Sequence, residues 1–240
     1  MLNRRSILRA SLLCSPLAAR AVTSVYPLAL PEGVNLVQVR PVLDLIARHA
    51  QIVWDYQPVP VTRMLAMVEN GWTLGLGPGR SSMRASRLLF SEEVLVSGLW
   101  PIARSEVRRE LRSAEDLKDL RVCLVRGLDY GDTLGDARLS GFSAEYISGD
   151  FRTRVRQLMA GRCDVLLASD FNTDAVELQR RVVESGGSLD KLRVGGGSLG
   201  HQVERFATAR TGPFAALIPV LDQVMKGSRK EIARLLGEKS

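Results

Sequence analysis

Hydrophobic positions along this chain recur with two alternating periods, one helical and one extended. Val42, Leu45 and Ile46 line one face of a helix predicted over 40–49, and 51–56 then reads as a strand. Pro58 and Pro60 make a rigid connector, because a proline ring fixes φ. Val61, Met64, Leu65 and Val68 repeat at i, i+3, i+4 and i+7, a buried helix face that Asn70-Gly71 closes. A short strand at 74–76 runs into the loop Gly-Pro-Gly-Arg-Ser-Ser, and extended runs follow at 88–91 and 94–102. Residues 104–119 predict a charged helix with a second short turn opening at Ser113. Strands are expected at 121–126 and 163–168, helices at 151–160 and 172–184, and another extended run at 203–209. Phe214, Leu217, Ile218, Leu221, Val224 and Met225 mark a C-terminal helix.

Strand–helix alternation at this spacing argues for an α/β fold with parallel sheets. The extended runs at 94–102 and 203–209 bracket a block of about 100 residues. A block inserted in this way implies two lobes joined by two crossover strands, with a cleft between them. The expected division is 22–97 with 206–240 for the first lobe and 98–205 for the second.

Composition narrows the classes. The 240 residues are 45% hydrophobic and 25% charged, which fits a globular chain with a core and excludes a wholly disordered or fibrous one. No apolar run reaches the length of a membrane-spanning helix. The formal charge is +7, but four of the 33 basic residues (Arg4, Arg5, Arg9 and Arg20) lie in the first 21 positions, which hold no acid. The remainder carries 29 basic against 26 acidic residues, so charge does not point to nucleic acid.

Residues 1–21 have the layout of a signal peptide: a basic start, a short apolar stretch and Ala19-Arg20-Ala21 before Val22. Arg4-Arg5-Ser6-Ile7-Leu8-Arg9 also resembles a twin-arginine export motif, the ordinary secretory route being the alternative. Leu12-Leu13 before Cys14 lacks the small residue a lipoprotein cysteine needs. The protein is expected in the periplasm. There Cys123 and Cys163 read as buried thiols acting as small apolar residues, although the oxidising compartment also permits a disulfide. With His49 and His201 they lack the spacing of a metal site. No phosphate loop, nucleophile elbow or His-Glu-x-x-His sequence occurs, and no cofactor is implied.

Several patches, in order, resemble the extracytoplasmic solute-binding proteins of family 3, which include the polar amino-acid binding proteins of bacterial ABC transporters. They are PVPVTRML at 58–65, ENGW at 69–72, SSMR at 81–84 ahead of Phe90-Ser91-Glu92, AEDLKDLRVCLVRG at 114–127 and AGRCDVLL at 160–167. The resemblance spans roughly 40–210 and implies the periplasmic binding protein type II fold, two lobes hinged on two crossover strands. It also implies capture of a small carboxylate-bearing solute, an amino acid or related organic acid, for a permease or a membrane sensor, with no covalent chemistry.

The resemblance places Arg84 where the family grips the ligand carboxylate, a role suited to a guanidinium fork. Gly79 and Ser81 fall where an amide and a hydroxyl complete that grip, and Arg80 is the nearest substitute cation. In the second lobe Asp129 and Tyr130, in Gly127-Leu-Asp-Tyr-Gly131, are candidate ligand contacts, with Asp129 alternatively a capping residue. The family usually binds the ligand ammonium with an aspartate where this chain has Ser169. The acid here is Asp170, one position later, and strand alternation turns it to the opposite face. Val61 also stands where many relatives carry an aromatic. Tyr26, Trp54 and Trp100 are either replacements for that aromatic or core residues. These departures point to a carboxylate without an amine, or to an interaction module on the same fold. A dehydratase-like enzyme is a third class, with Glu92, Glu93, Asp129 and Asp170 as its candidate acids and bases.

Overall fold

A computed structural model describes residues 24–131, 134, 141–171 and 174–236; the expected signal peptide lies outside them. The first lobe begins with strand β1 (Ser24–Pro31), helix α1 (Leu36–His49), β2 (Ile52–Val59), α2 (Val61–Glu69) and β3 (Leu74–Leu76). After α3 (Ser82–Arg87) the 17-residue strand β4 (Leu88–Arg104) crosses into the second lobe. That lobe holds β5 (Arg121–Val125), β6 (Ser143–Ile147), α4 (Phe151–Met159), β7 (Val165–Asp170), α5 (Ala175–Glu184) and β8 (Leu192–Val194). Strand β9 (His201–Ala209) returns to the first lobe, which α6 (Leu217–Leu235) completes.

The strand order is β2-β1-β3-β9-β4-β7-β5-β6, with β8 on β4. β1, β2 and β3 are mutually parallel, as are β7, β5 and β6, in line with the expected α/β pattern. β9 runs antiparallel to β3 and β4 antiparallel to β7, and the two crossovers are antiparallel to each other. β4 pairs with β9 from Leu88 to Gly98, and with β7 from Gly98 to Ala103. The exchange of partners at Gly98 marks the passage between lobes. It leaves two adjacent extended strands as the connection, the hinge arrangement implied by the family resemblance.

Each lobe has its own core. In the first, α1 and α6 bury Leu43, Ile46, Ile218 and Leu221 against Leu74 and Phe206, and Phe206 stacks on Trp54 at 5.6 Å. Trp54 donates to Leu43 O at 2.9 Å, and Tyr26 packs on Phe214, so both are core residues, as is Trp100 in the second lobe. The second lobe packs Cys123, Val155, Leu158 and Leu166 on one sheet face and Leu117, Leu124, Phe142 and Leu167 on the other.

Three local expectations change. Helix α1 starts at Leu36, before Pro41, because Val39, Val42, Leu43 and Ile46 form one buried stripe whose packing outweighs the bond the proline lacks. No helix spans 104–119. The Asp116 carboxylate accepts from Arg112 N, Ser113 N and Ser113 Oγ at 2.8–3.0 Å, holding a turn and one short 3₁₀ segment. Val107, Leu111 and Leu117 reach the core from that irregular path. Finally, Cys123 and Cys163 are joined as a disulfide, which corrects the buried-thiol reading. Pairing of β5 with β7 aligns Cys123 with Leu166 and brings the turn before β7 alongside, so the Cα atoms stand 5.7 Å apart, in the normal range for a bridge.

Candidate functional site: the cleft between the lobes

The lobes meet along one seam. Gly127, at φ +86°, lets the turn after β5 press against α2: a Cβ on it would lie 3.2–3.5 Å from Thr62, Val61 and Leu65. Beside it, Ser81 caps α3, its hydroxyl accepting from Arg84 N at 3.3 Å. That cap orients Arg84 across the seam. Its guanidinium donates to Gly79 O at 3.2 Å and to Gly127 O of the second lobe at 2.9 Å. The Asp129 carboxylate stands 3.9 Å away. Gly79 itself meets Asp129 so closely that a Cβ would fall 2.1 Å from the aspartate Cβ. Four of the residues singled out from the sequence (Gly79, Ser81, Arg84 and Asp129) therefore gather at one edge of the cleft. Asp129 also accepts from Gly131 N at 3.0 Å, the capping contact left open by its sequence.

The other three have different surroundings. Tyr130 is buried in the second-lobe core; its hydroxyl accepts from Val125 N at 2.7 Å, and burial pushes its pKa up to about 12. That places the phenol in the interior of the second lobe. Asp170 is fully buried and paired with Arg181, which also donates to Gly33 O of the first lobe at 2.7 Å. Its carboxylate is thus tied to a structural cation. Ser169, on the opposite face of β7, points at the hinge and donates to Ser97 Oγ at 2.9 Å.

Behind Ser169 lies a group that the sequence reading passed over. Ser97 Oγ donates to Glu204 Oε1 at 2.8 Å, linking β7, β4 and β9 through one buried chain. Glu204 is 7% exposed, and burial raises its pKa to about 7 against the opposing pull of the Ser97 hydroxyl. Its signal was the alternation Glu204, Phe206, Thr208, which sets an acid in line with two buried residues on β9.

A cavity of about 40 Å³ remains between the lobes, lined by Leu30, Val34, Val61, Leu76, Leu128 and Phe171, with Ser169, Glu204, Glu32 and Arg154 among its polar groups. That volume holds roughly one or two waters, against about 300–1,000 Å³ for a usual ligand pocket. The lobes are closed on each other at this point, and an open groove of about 250 Å³ remains at the edge lined by Gly79, Arg80, Asp129 and Gly131. Glu32 crosses the same seam and accepts from Gly149 N at 3.0 Å. Of the acids considered for an enzyme, Glu92 and Glu93 border α6 on the outer side of the first lobe, Asp170 is paired, and Asp129 alone touches the cleft. Among the described residues no cluster of metal-type ligands forms, and no helix is long and apolar enough to cross a membrane.

No protein-family model matches the sequence, and no curated protein matches it. Solved structures do. A histidine kinase sensor domain with similarity to periplasmic binding proteins is 16% identical, with a TM-score of 0.70 over 90% of this chain and 95% of that one. An ancestral arginine-binding protein bound to arginine is 13% identical, with a TM-score of 0.69 over 88% and 97%. An amino-acid ABC transporter substrate-binding protein from Streptococcus pneumoniae, bound to L-arginine, is 15% identical with a TM-score of 0.66 over 90% and 94%. With nearly whole-chain coverage on both sides, the likeness establishes the architecture: this chain has the two-lobed fold of the periplasmic binding proteins.

Proposed function

We propose that this is an exported solute-binding protein that captures a small carboxylate-bearing molecule between its lobes. The observation carrying the reading is the reach of Arg84 across the seam to Gly127 O and the neighbourhood of Asp129. In the closed form its donors are met by the protein itself. Separation of the lobes releases the second-lobe partners and leaves a guanidinium fork facing the opened cleft, where a carboxylate can replace them. Residues 98–205 act as the moving second lobe, residues 1–21 direct export to the periplasm, and the closed form is read by a permease or a membrane sensor. Gly79 and Ser81 belong to the same first-lobe wall, and Asp129 to the facing one. No bond of the solute is broken in this reading.

The apolar lining of the closed cleft favours a second reading, an interaction module on the same fold without a small ligand. A thermal-shift screen with amino acids, keto acids, dicarboxylates and aromatic acids separates the two. A bound solute at about 100 times its Kd adds roughly 2.7 kcal/mol, a melting shift of about 5–10 °C for this size. A shift with one chemical class that disappears in Arg84→Ala supports carboxylate capture at this edge. A shift that survives keeps the capture and removes Arg84 from it. No shift with any compound favours the interaction module.

A further inference from the structure

The cleft holds a second arginine that the family resemblance does not assign. Arg154, in the first turn of α4, shares the buried face of that helix with Phe151, Val155 and Leu158 and is only 6% exposed. Its Nε donates to Asp150 O at 3.3 Å, and its guanidinium carbon lies 5.9 Å from the Phe151 ring. Among the described residues nothing accepts a hydrogen bond from either terminal nitrogen, and no carboxylate stands at ion-pair distance. The head group instead lies against Gly33 of the opposite lobe, so close that a Cβ there would fall 1.4 Å from Nη2. A desolvated cation with open donors costs stability unless an anion meets it. Its own pKa is lowered by burial, against the weaker opposing pull of Tyr130, Glu32 and Asp150, and burial together with the charge of Arg154 lowers that of Arg181 to about 10.

The surrounding acids are already engaged. Asp170 is bound to Arg181, Glu32 receives the Gly149 amide, and Glu204 shares a proton network with Ser97 and Ser169. An ammonium placed here would face two guanidinium groups, whereas a carboxylate would receive the open donors of Arg154 as a fork. The other walls are hydrocarbon.

We infer that Arg154 of the second lobe is an anion receptor of this cleft, and that its ligand is a small organic monocarboxylate with an apolar body and no ammonium group. The inference rests on capture between the lobes and adds the chemical class of what is captured. On opening, Arg154 leaves Gly33 and its terminal nitrogens become available. On closing over a ligand, the carboxylate lies between Arg154 and the first lobe, with the apolar body against Val34, Val61 and Phe171.

The test pairs each acid with its amino counterpart: propanoate with alanine, 3-methylbutanoate with valine, 4-methylpentanoate with leucine, 3-phenylpropanoate with phenylalanine. Titration calorimetry and thermal shift are run on the parent protein, Arg154→Met, Gly33→Ala and Arg84→Ala. The expected result is that at least one acid binds about tenfold or more tighter than its amino counterpart. Arg154→Met should weaken that binding by about 100-fold or more. The melting temperature of unliganded Arg154→Met should equal or exceed that of the parent, because an unpaired buried charge has been removed; a purely structural arginine would give a fall. Gly33→Ala crowds the guanidinium only where no carboxylate separates the two, so it should destabilise the unliganded closed form and leave acid binding equal or tighter, a readout that does not depend on Arg154→Met folding; weaker binding would overturn the placement. Amino-acid binding lost in Arg84→Ala and retained in Arg154→Met would overturn this inference while leaving capture intact. Binding of no compound at millimolar concentration would overturn both.

Discussion

Glu204 gives the prediction whose magnitude follows most directly from the structure. The carboxyl is buried at the hinge, and among the described residues its side-chain hydrogen-bond partner is the Ser97 hydroxyl. Burial is the main cause of its raised pKa, about 7 against an ordinary 4.5, with no charged neighbour contributing. Between those two values the unfolded chain has released the proton and the native state still holds it. Stability therefore is fully present below about pH 4.5 and is lost as pH rises through about 7. A shift of this size corresponds to about 3 kcal/mol, of which about 2 kcal/mol is gone by pH 6. Glu204→Gln keeps an acceptor for Ser97 and cannot ionise. Urea unfolding from pH 4 to 8 should show the two proteins nearly alike at the acidic end and the glutamine variant about 3 kcal/mol more stable at pH 8. Taking the difference cancels every contribution common to the two proteins. Parallel profiles, with a constant offset at every pH, would refute the claim that Glu204 is neutral in the native hinge.

Two further outcomes concern stability alone. The Cys123–Cys163 bridge closes a segment with a sequence separation of 40, and on the chain-entropy estimate its loss costs about 4 kcal/mol; urea midpoints with and without dithiothreitol, and of the Cys123→Ala/Cys163→Ala double variant, should fall together, and an unchanged midpoint would argue against the bridge. Asp170→Asn leaves Arg181 buried without its counter-charge and should cost about 3–5 kcal/mol with no ligand present; adding Arg181→Met should restore much of the loss, and failure of the double variant to recover would show that the pair is not the cause.

How much of this was legible in the sequence depended on whether a residue's environment is local. Helix α2 and strand β3 were readable because their apolar periodicity belongs to a single element. The two extended runs likewise carried the two-lobed plan. Segment 104–119 misled because Val107, Leu111, Ala114 and Leu117 are spaced much as on a helix, while Asp116 draws the backbone amides into a turn. Strands β6 and β8 are short and were missed; β6 alternates only weakly and has four exposed or half-exposed positions at the sheet edge. Within the cleft, the family resemblance led to Arg84 and to the displaced acid at Asp170. It gave no reason to look at Arg154, whose charge hid the fact that it occupies a buried position of α4. The disulfide needed the register of β5 against β7, which no single segment encodes.

The insertion of one lobe within the other also sets an order of events during synthesis. Strand β3 finds its antiparallel neighbour only in β9, and α6, which covers the first-lobe core, comes later still. The first lobe therefore remains incomplete until nearly the whole chain has emerged. The second lobe is one uninterrupted stretch carrying both bridged cysteines, so it can close and oxidise while its host is still unpaired. Such long-range pairing is slow and leaves β3 with an open edge in the interim.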